Sequence, residues 1–139
     1  MKFLKTFQPV ALVILRIALA IVFLSHGYPK LAHLRGNAQM QGFFVEHGLP
    51  AFFLYVAGVL EVFGGALILL GLFTRPAALL LTLEMCVAIV KVHLGHGYLA
   101  VHDYEFPMMM AVACLALSTI GPGPLSVDNV AFGGEKGSG

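Results

Sequence analysis

Four long apolar stretches make up most of this 139-residue chain, and the first three of them are interrupted by charge. Eight side chains are basic and seven acidic, and Arg16, Glu61, Glu84 and Lys91 lie within runs of Leu, Val, Ile, Ala, Phe and Gly. A charge at the centre of a bilayer costs roughly 2.5–3.5 kcal/mol on the lenient insertion scale, so such residues face protein or water rather than lipid. The stretches therefore predict an integral membrane protein with a polar interior. A soluble domain of this length could not bury a chain that is 59% hydrophobic with a mean hydropathy of +0.91.

Proline, glycine and capping residues set the expected boundaries. The first span is expected over residues 9–28, closed by Pro29, which is disfavoured inside a helix. The others are expected over 51–73, 76–94 and 103–121. Pro76 suits a first helical turn, Asp103 is a candidate N-cap, and Gly121-Pro122-Gly123-Pro124 is the final stop. The fold class expected is an all-α four-transmembrane-helix bundle, with residues 1–132 forming one domain and 133–139 a flexible tail. The basic start and apolar run near the N-terminus mimic a signal peptide, but no small-x-small cleavage site precedes a polar segment, so the run reads as a retained helix. Lys2, Lys5, Arg75 and Lys136 outnumber Lys30 and Arg35 on the opposite side, which puts both termini in the cytoplasm. Gly42 to Val45, in the one long connection, is a candidate interfacial helix.

A net charge of +1 carries no polybasic footprint, which excludes nucleic acid as an expected partner. Cys86 and Cys114 form no CxxC pair and lie inside apolar segments, so they read first as small buried hydrophobes and only secondarily as a redox pair. No haem, flavin or iron–sulfur motif is present in the sequence. His93-x2-His96, near His102 and Asp103, has some of the donors that zinc takes, but Gly95 and Gly97 interrupt the helix there, and no metal site is assigned. The histidines (His26, His33, His47, His93, His96 and His102) fall in one half of the expected topology.

At 1.5 Å per residue, Glu61 and Glu84 each lie about 16 Å below the ends of their spans and Arg16 about 20 Å below its own. These three are expected to form one mid-membrane layer, with the arginine forking to a carboxylate. Arg16, Ala20, Phe23, Gly27 and Lys30 share a face of the first span. Gly58, Glu61 and Gly65 share a face of the second, where small residues admit a neighbouring helix. A second polar layer is expected from His26, Lys30, Lys91, His93 and Glu105. On the third span Glu84 and Lys91 share one face, with Thr82, Cys86 and His93 on the other, which hints at a homo-oligomer. The mid-membrane acids support either proton or quinone handling or a structural ion pair. The second layer supports either the mouth of a ligand pocket or interfacial snorkelling.

Together these residues resemble the DoxX family of small four-helix membrane proteins. The resemblance is carried by Arg16-x9-His26-Gly27-Tyr28-Pro29-Lys30-Leu31, Glu61-Val62-Phe63-Gly64-Gly65-Ala66 and Gly71-Leu72-Phe73-Thr74-Arg75. It continues through Asp103-Tyr104-Glu105-Phe106-Pro107 and the closing Gly121 to Asp128. It implies a plasma-membrane protein with cytoplasmic termini and a link to quinone chemistry, because family members are associated with thiosulfate:quinone oxidoreductase, quinone stress and membrane oxidoreductase complexes. The expectation is a membrane subunit of a quinone-linked redox system. Glu61 and Glu84 would relay protons, and Arg16, His26, Lys30, Lys91, His93 and Glu105 would contact a quinone or similar hydrophobic molecule. A soluble or membrane partner would supply electrons. The rival expectations are a non-enzymatic assembly scaffold and a small transporter.

Overall fold

The computed structural model describes residues 2–32, 52–93 and 99–132, with 42, 45, 46, 48 and 97 from the connections. Among these residues the chain is helical and contains no strand. A short α1 (Lys2–Thr6) leads into α2 (Gln8–Ala32), followed by α3 (Phe53–Leu70), α4 (Thr74–Ala88), α5 (Val101–Ile120) and a short α6 (Val127–Ala131). Beyond Ala88 the rod of α4 continues through Ile89–His93 as a wider π-type turn, a local irregularity often found near functional sites. The interfacial segment expected at Gly42 to Val45 falls largely outside the described residues, and the tail at 133–139 wholly so.

Two boundaries differ from expectation. Pro29 lies inside α2, which runs on to Ala32. A proline near a helix end forfeits one backbone hydrogen bond and is tolerated where few turns remain to be disturbed. Asp103 is not the cap of α5; Ala100 precedes that helix without a side-chain cap, and Asp103 sits in the first turn, where its charge favours the helix dipole.

The helices pack as two pairs, α2 along α3 and α4 along α5, joined by α3 against α4. Glycine sets the closeness of the first pair. A Cβ at Gly27 would come within 2.7 Å of the Glu61 Cβ, one at Gly58 within 2.9 Å of Leu31, and one at Gly65 within 3.2 Å of Phe23. These contacts descend α2 as they climb α3, so the two helices are antiparallel. The core that results runs through Leu12, Leu19, Phe23, Ile68, Ala78, Leu81, Met110, Cys114 and Leu117.

Polarity is inverted relative to a water-soluble bundle. Arg16, Glu61 and Glu84 are buried, whereas Ile14, Ile21, Phe63, Leu80, Leu83, Met109 and Val112 are exposed on the outward faces of all four long helices. An apolar exterior of this extent needs lipid or another apolar surface to cover it. Two helices, Gln8–Leu31 and Phe53–Leu70, are long and apolar enough on their own to cross a bilayer.

Candidate functional site

The buried charges separate into two places. At one end of the molecule Arg16 reaches from α2 under the bundle, and its Nη1 donates to Pro122 O and Leu125 O, both at 2.9 Å. The expected layer of Arg16 with Glu61 and Glu84 therefore does not form. The helix that carries Arg16 extends one turn further than its proline implied, which lowers the arginine relative to the acids. The long side chain then extends away from them, toward the chain reversal after α5.

This end is tied together by three charged side chains. Arg75 donates to Thr119 O at 2.7 Å and Ile120 O at 3.2 Å, covering terminal carbonyls of α5. Asp128 accepts from the backbone N–H of Phe73 at 2.7 Å and of Thr74 at 3.0 Å, capping α4 from 54 residues away. Phe73, at φ 48, adopts the left-handed conformation that L-residues avoid, and this capping bond with the Phe132 ring at 5.8 Å holds it there. Gly71, at φ 72, leaves room for Arg16 and Ser126; a Cβ there would meet them at 2.7 and 2.5 Å. An open pocket of about 400 Å³ lies beside this network, between Phe73, Pro76, Pro122 and Phe132.

The second place holds the acids. Lys30, from the last turn of α2, donates to Glu61 Oε1 at 2.6 Å. Glu84 comes from α4 at the same level: a Cβ at Gly64 would meet Leu81 of α4 at 3.0 Å, and three residues along each helix from that contact Glu61 and Glu84 are both buried. Glu61 and Glu84 are 3% and 7% exposed, and Glu61 Oε2 and Glu84 Oε1 meet no donor among the described residues. Two ionised carboxylates cannot donate to each other. A single proton on either acid would give the pair a hydrogen bond and leave the Lys30–Glu61–Glu84 cluster neutral, the arrangement that costs least away from water. Cys114, fully buried on α5, completes the surroundings.

The expected second layer is dispersed. Lys30 turns inward to Glu61 as described. His26 is exposed, with its Nδ1 2.8 Å from Val22 O and its ring stacked on Phe106 at 5.9 Å. Glu105 meets the exposed His102 at 3.3 Å on its own helix. Lys91 is exposed, and the side chain of His93 lies outside the described residues, as do His33, His47 and His96. Among the described residues no cluster of His, Cys, Asp and Glu has the makings of a metal site. Cys86 is exposed and Cys114 buried, both as free thiols. Thr82 and Glu84 are buried together within one chain, and Thr82 satisfies its hydroxyl on Ala78 O.

The sequence singles out both acids and Lys30 but places the lysine in a separate layer, although Gly27 and Gly58 flag the close approach that makes its pairing with Glu61 possible. It also missed Asp128 as a cap. Ser126 ahead of Val-Asp-Asn is a legible helix start, and Asn129 N–H does donate to Ser126 Oγ, but nothing local points Asp128 at α4.

Comparison with known proteins places these residues in context. The DoxX family model matches residues 11–94. A Bacillus subtilis (strain 168) protein carrying the provisional name oxidoreductase CatD is 32% identical over 132 residues, covering 95% of this chain and 94% of its own length. The Escherichia coli (strain K12) inner membrane protein YphA is 34% identical, covering 87% of this chain and 90% of its own. An uncharacterised membrane protein of Mycobacterium tuberculosis, Rv3486, is also 34% identical, over 86% of this chain and 80% of its own. No solved structure matches.

Proposed function

The chain belongs to the DoxX family and is a membrane protein, and from that premise we propose that it is a multi-pass plasma-membrane subunit of a quinone-linked redox system. The observation that carries the proposal is the buried carboxyl pair. Two acids face one another beside a single lysine, in an interior enclosed by apolar helices. Such a pair holds one proton and can give it up or regain it at small structural cost, because either carboxyl can be the donor. Quinone reduction needs protons delivered inside the membrane as electrons arrive, and a pair of this kind supplies them. Electrons come from a partner protein, since the chain has no motif for a redox centre of its own. The name of the Bacillus relative, an oxidoreductase, agrees with this assignment.

Glu61 and Glu84 are the proton-handling groups in this reading, and Lys30 holds Glu61 in place. His26, stacked on Phe106 near the same end of α2, offers a ring nitrogen and an aromatic face to a quinone head group. Arg16 has a structural part in this reading, because both bonds of its Nη1 go to backbone carbonyls of the chain itself. The four long helices cross the membrane with both termini on the cytoplasmic side, in keeping with the excess of basic residues there.

A second reading draws on the 2.6 Å Lys30–Glu61 bond: a structural clasp between α2 and α3 in a protein that only scaffolds its partners. Mass spectrometry with an absorption spectrum, on protein purified in mild detergent, separates the two. The expected result is a stoichiometric quinone or related aromatic lipid, lost from a Lys30→Ala/Glu61→Ala variant of equal monodispersity. Wild-type protein holding only bulk phospholipid would overturn the proposal in favour of the scaffold.

A further inference from the structure

We propose that the Glu61–Glu84 pair exchanges its proton with one face of the membrane only, the face at the Lys30 end, and that Lys30 is the gate. This rests on the proton-handling reading of the pair and adds a direction to it.

The two routes out of the pair are unlike. Toward the Lys30 end a described side chain connects acid to surface: the Lys30 side chain is 17% exposed, and its ammonium touches the Glu61 side chain, which is 4% exposed. The lysine stem has four rotatable carbons and stands in the last turn of α2, so a swing of the ammonium outward uncovers Glu61 Oε1 to water. The surface around this end is polar, with His26, Lys91, His102, Asp103 and Glu105 all exposed.

Toward the other end the path is closed twice. About 15 Å of α4 separates Glu84 from Thr74, and the buried side chains packed along that length are apolar. They are Leu81 and Ala78 on α4, Ile68 on α3, Phe23 and Leu19 on α2, and Leu117 on α5. Thr82, the polar side chain nearest Glu84 on its own helix, has its hydroxyl committed to Ala78 O at 2.8 Å. A proton needs a chain of donors and acceptors, and this layer has none among the described residues. Below it, Arg16 Nη1 is bound to Pro122 O and Leu125 O and Asp128 to the start of α4, tying that end shut, while Arg16 Nε and Thr74 Oγ1 are buried without a partner among the described residues. Among the described residues, Lys30 from α2 and Cys114 from α5 are the titratable groups that the structure places against the pair. The thiol ends in the apolar core and leads nowhere. Protons consumed in the interior would thus be drawn from one compartment, which in the proposed orientation is the external one.

Infrared difference spectroscopy on proton-tight proteoliposomes tests this, with orientation fixed by protease cleavage of a C-terminal tag. The signal is the C=O stretch of a protonated carboxyl, assigned to the pair because Glu84→Gln removes it and Glu84→Asp shifts it. The expected result is loss of the band after an alkaline step on the Lys30 face and no change after the same step on the Arg16 face. A response from the Arg16 face, or equally from both, overturns the sidedness while leaving the proton-handling reading intact. Absence of any such band overturns the reading itself. A band that answers to neither face overturns the inference and makes the pair a sealed structural contact. Lys30→Met supplies a second check: the band should answer faster from the Lys30 face, because the gate has gone, and an unchanged response removes the lysine from the proposal.

Discussion

The Arg16 end and the carboxyl pair bury comparable charge but use it in opposite ways. At the Arg16 end the charged side chains pair with backbone, two carbonyls for Arg16, two for Arg75 and two N–H groups for Asp128, although Arg16 Nε and Thr74 Oγ1 are buried without a partner among the described residues. Its partners are terminal groups of helices and turns that had no mates within their own elements, so the side chains complete the backbone. At the carboxyl pair the partners are other side chains, and two buried oxygens are left without a donor. A guanidinium bound to backbone carbonyls keeps its charge and so has one protonation state. A site short of one proton has two, with and without it, and that is what allows it to do work. The contrast explains why the two most conspicuous charged positions of the first span, Arg16 and Lys30, serve different ends although they share a helix face.

The comparison can be broken first at Arg16. Arg16→Met should destabilise the protein by on the order of 3 kcal/mol, since it removes two charge-assisted bonds and leaves the buried Pro122 O without that donor. A thermal melt in detergent reads this. An unchanged Tm would mean the lock is ornamental and that the two regions do not differ as described. Gly27→Ala comes next, at about 1–3 kcal/mol, because its Cβ would lie 2.7 Å from that of Glu61 and force α2 from α3. The same melt measures it, and loss of the quinone should accompany the loss of stability. Asp128→Ala should cost about 1–2 kcal/mol as a lost helix cap, while leaving ligand and infrared signals of the acid pair unaltered. Glu84→Gln should have the smallest effect on stability, about 0.5 kcal/mol or less, because the amide can donate to Glu61 where a proton did. It should nevertheless abolish quinone-linked turnover. If Glu84→Gln instead melts as early as Arg16→Met, both regions are structural and the functional assignment fails.

The candidate site was half legible. Glu61 and Glu84 were found because an acid in an apolar run is costly wherever the run ends up, and depth counted from the span ends brought them to one level. Counting misplaced Arg16 because it took Pro29 as the end of the span; Gly27 stands beside Glu61, so Arg16, eleven residues before it, lies about 16 Å from the acids along α2. Lys30 was expected in a second polar layer nearer the surface, with His26 and Glu105, because its Cα stands near the end of the span. Its Cα is there, but its ammonium is not. The capping role of Asp128 was beyond reach, since its 54-residue separation from the helix it caps leaves no local pattern.

What the sequence determined by itself was the helical class, the approximate bounds of each long helix and the charges that must avoid lipid. These follow from apolar run length, from the positions of proline and glycine, and from the cost of burying charge, all of them properties of residues near one another in the chain. The tertiary structure alone decided which charge answers which. A hydrogen bond is made over about 3 Å, and the choice among partners at similar depth turns on helix rotation, the close approach allowed by Gly27 and Gly58, and the path of the chain after α5. Those quantities come into being only when the helices pack.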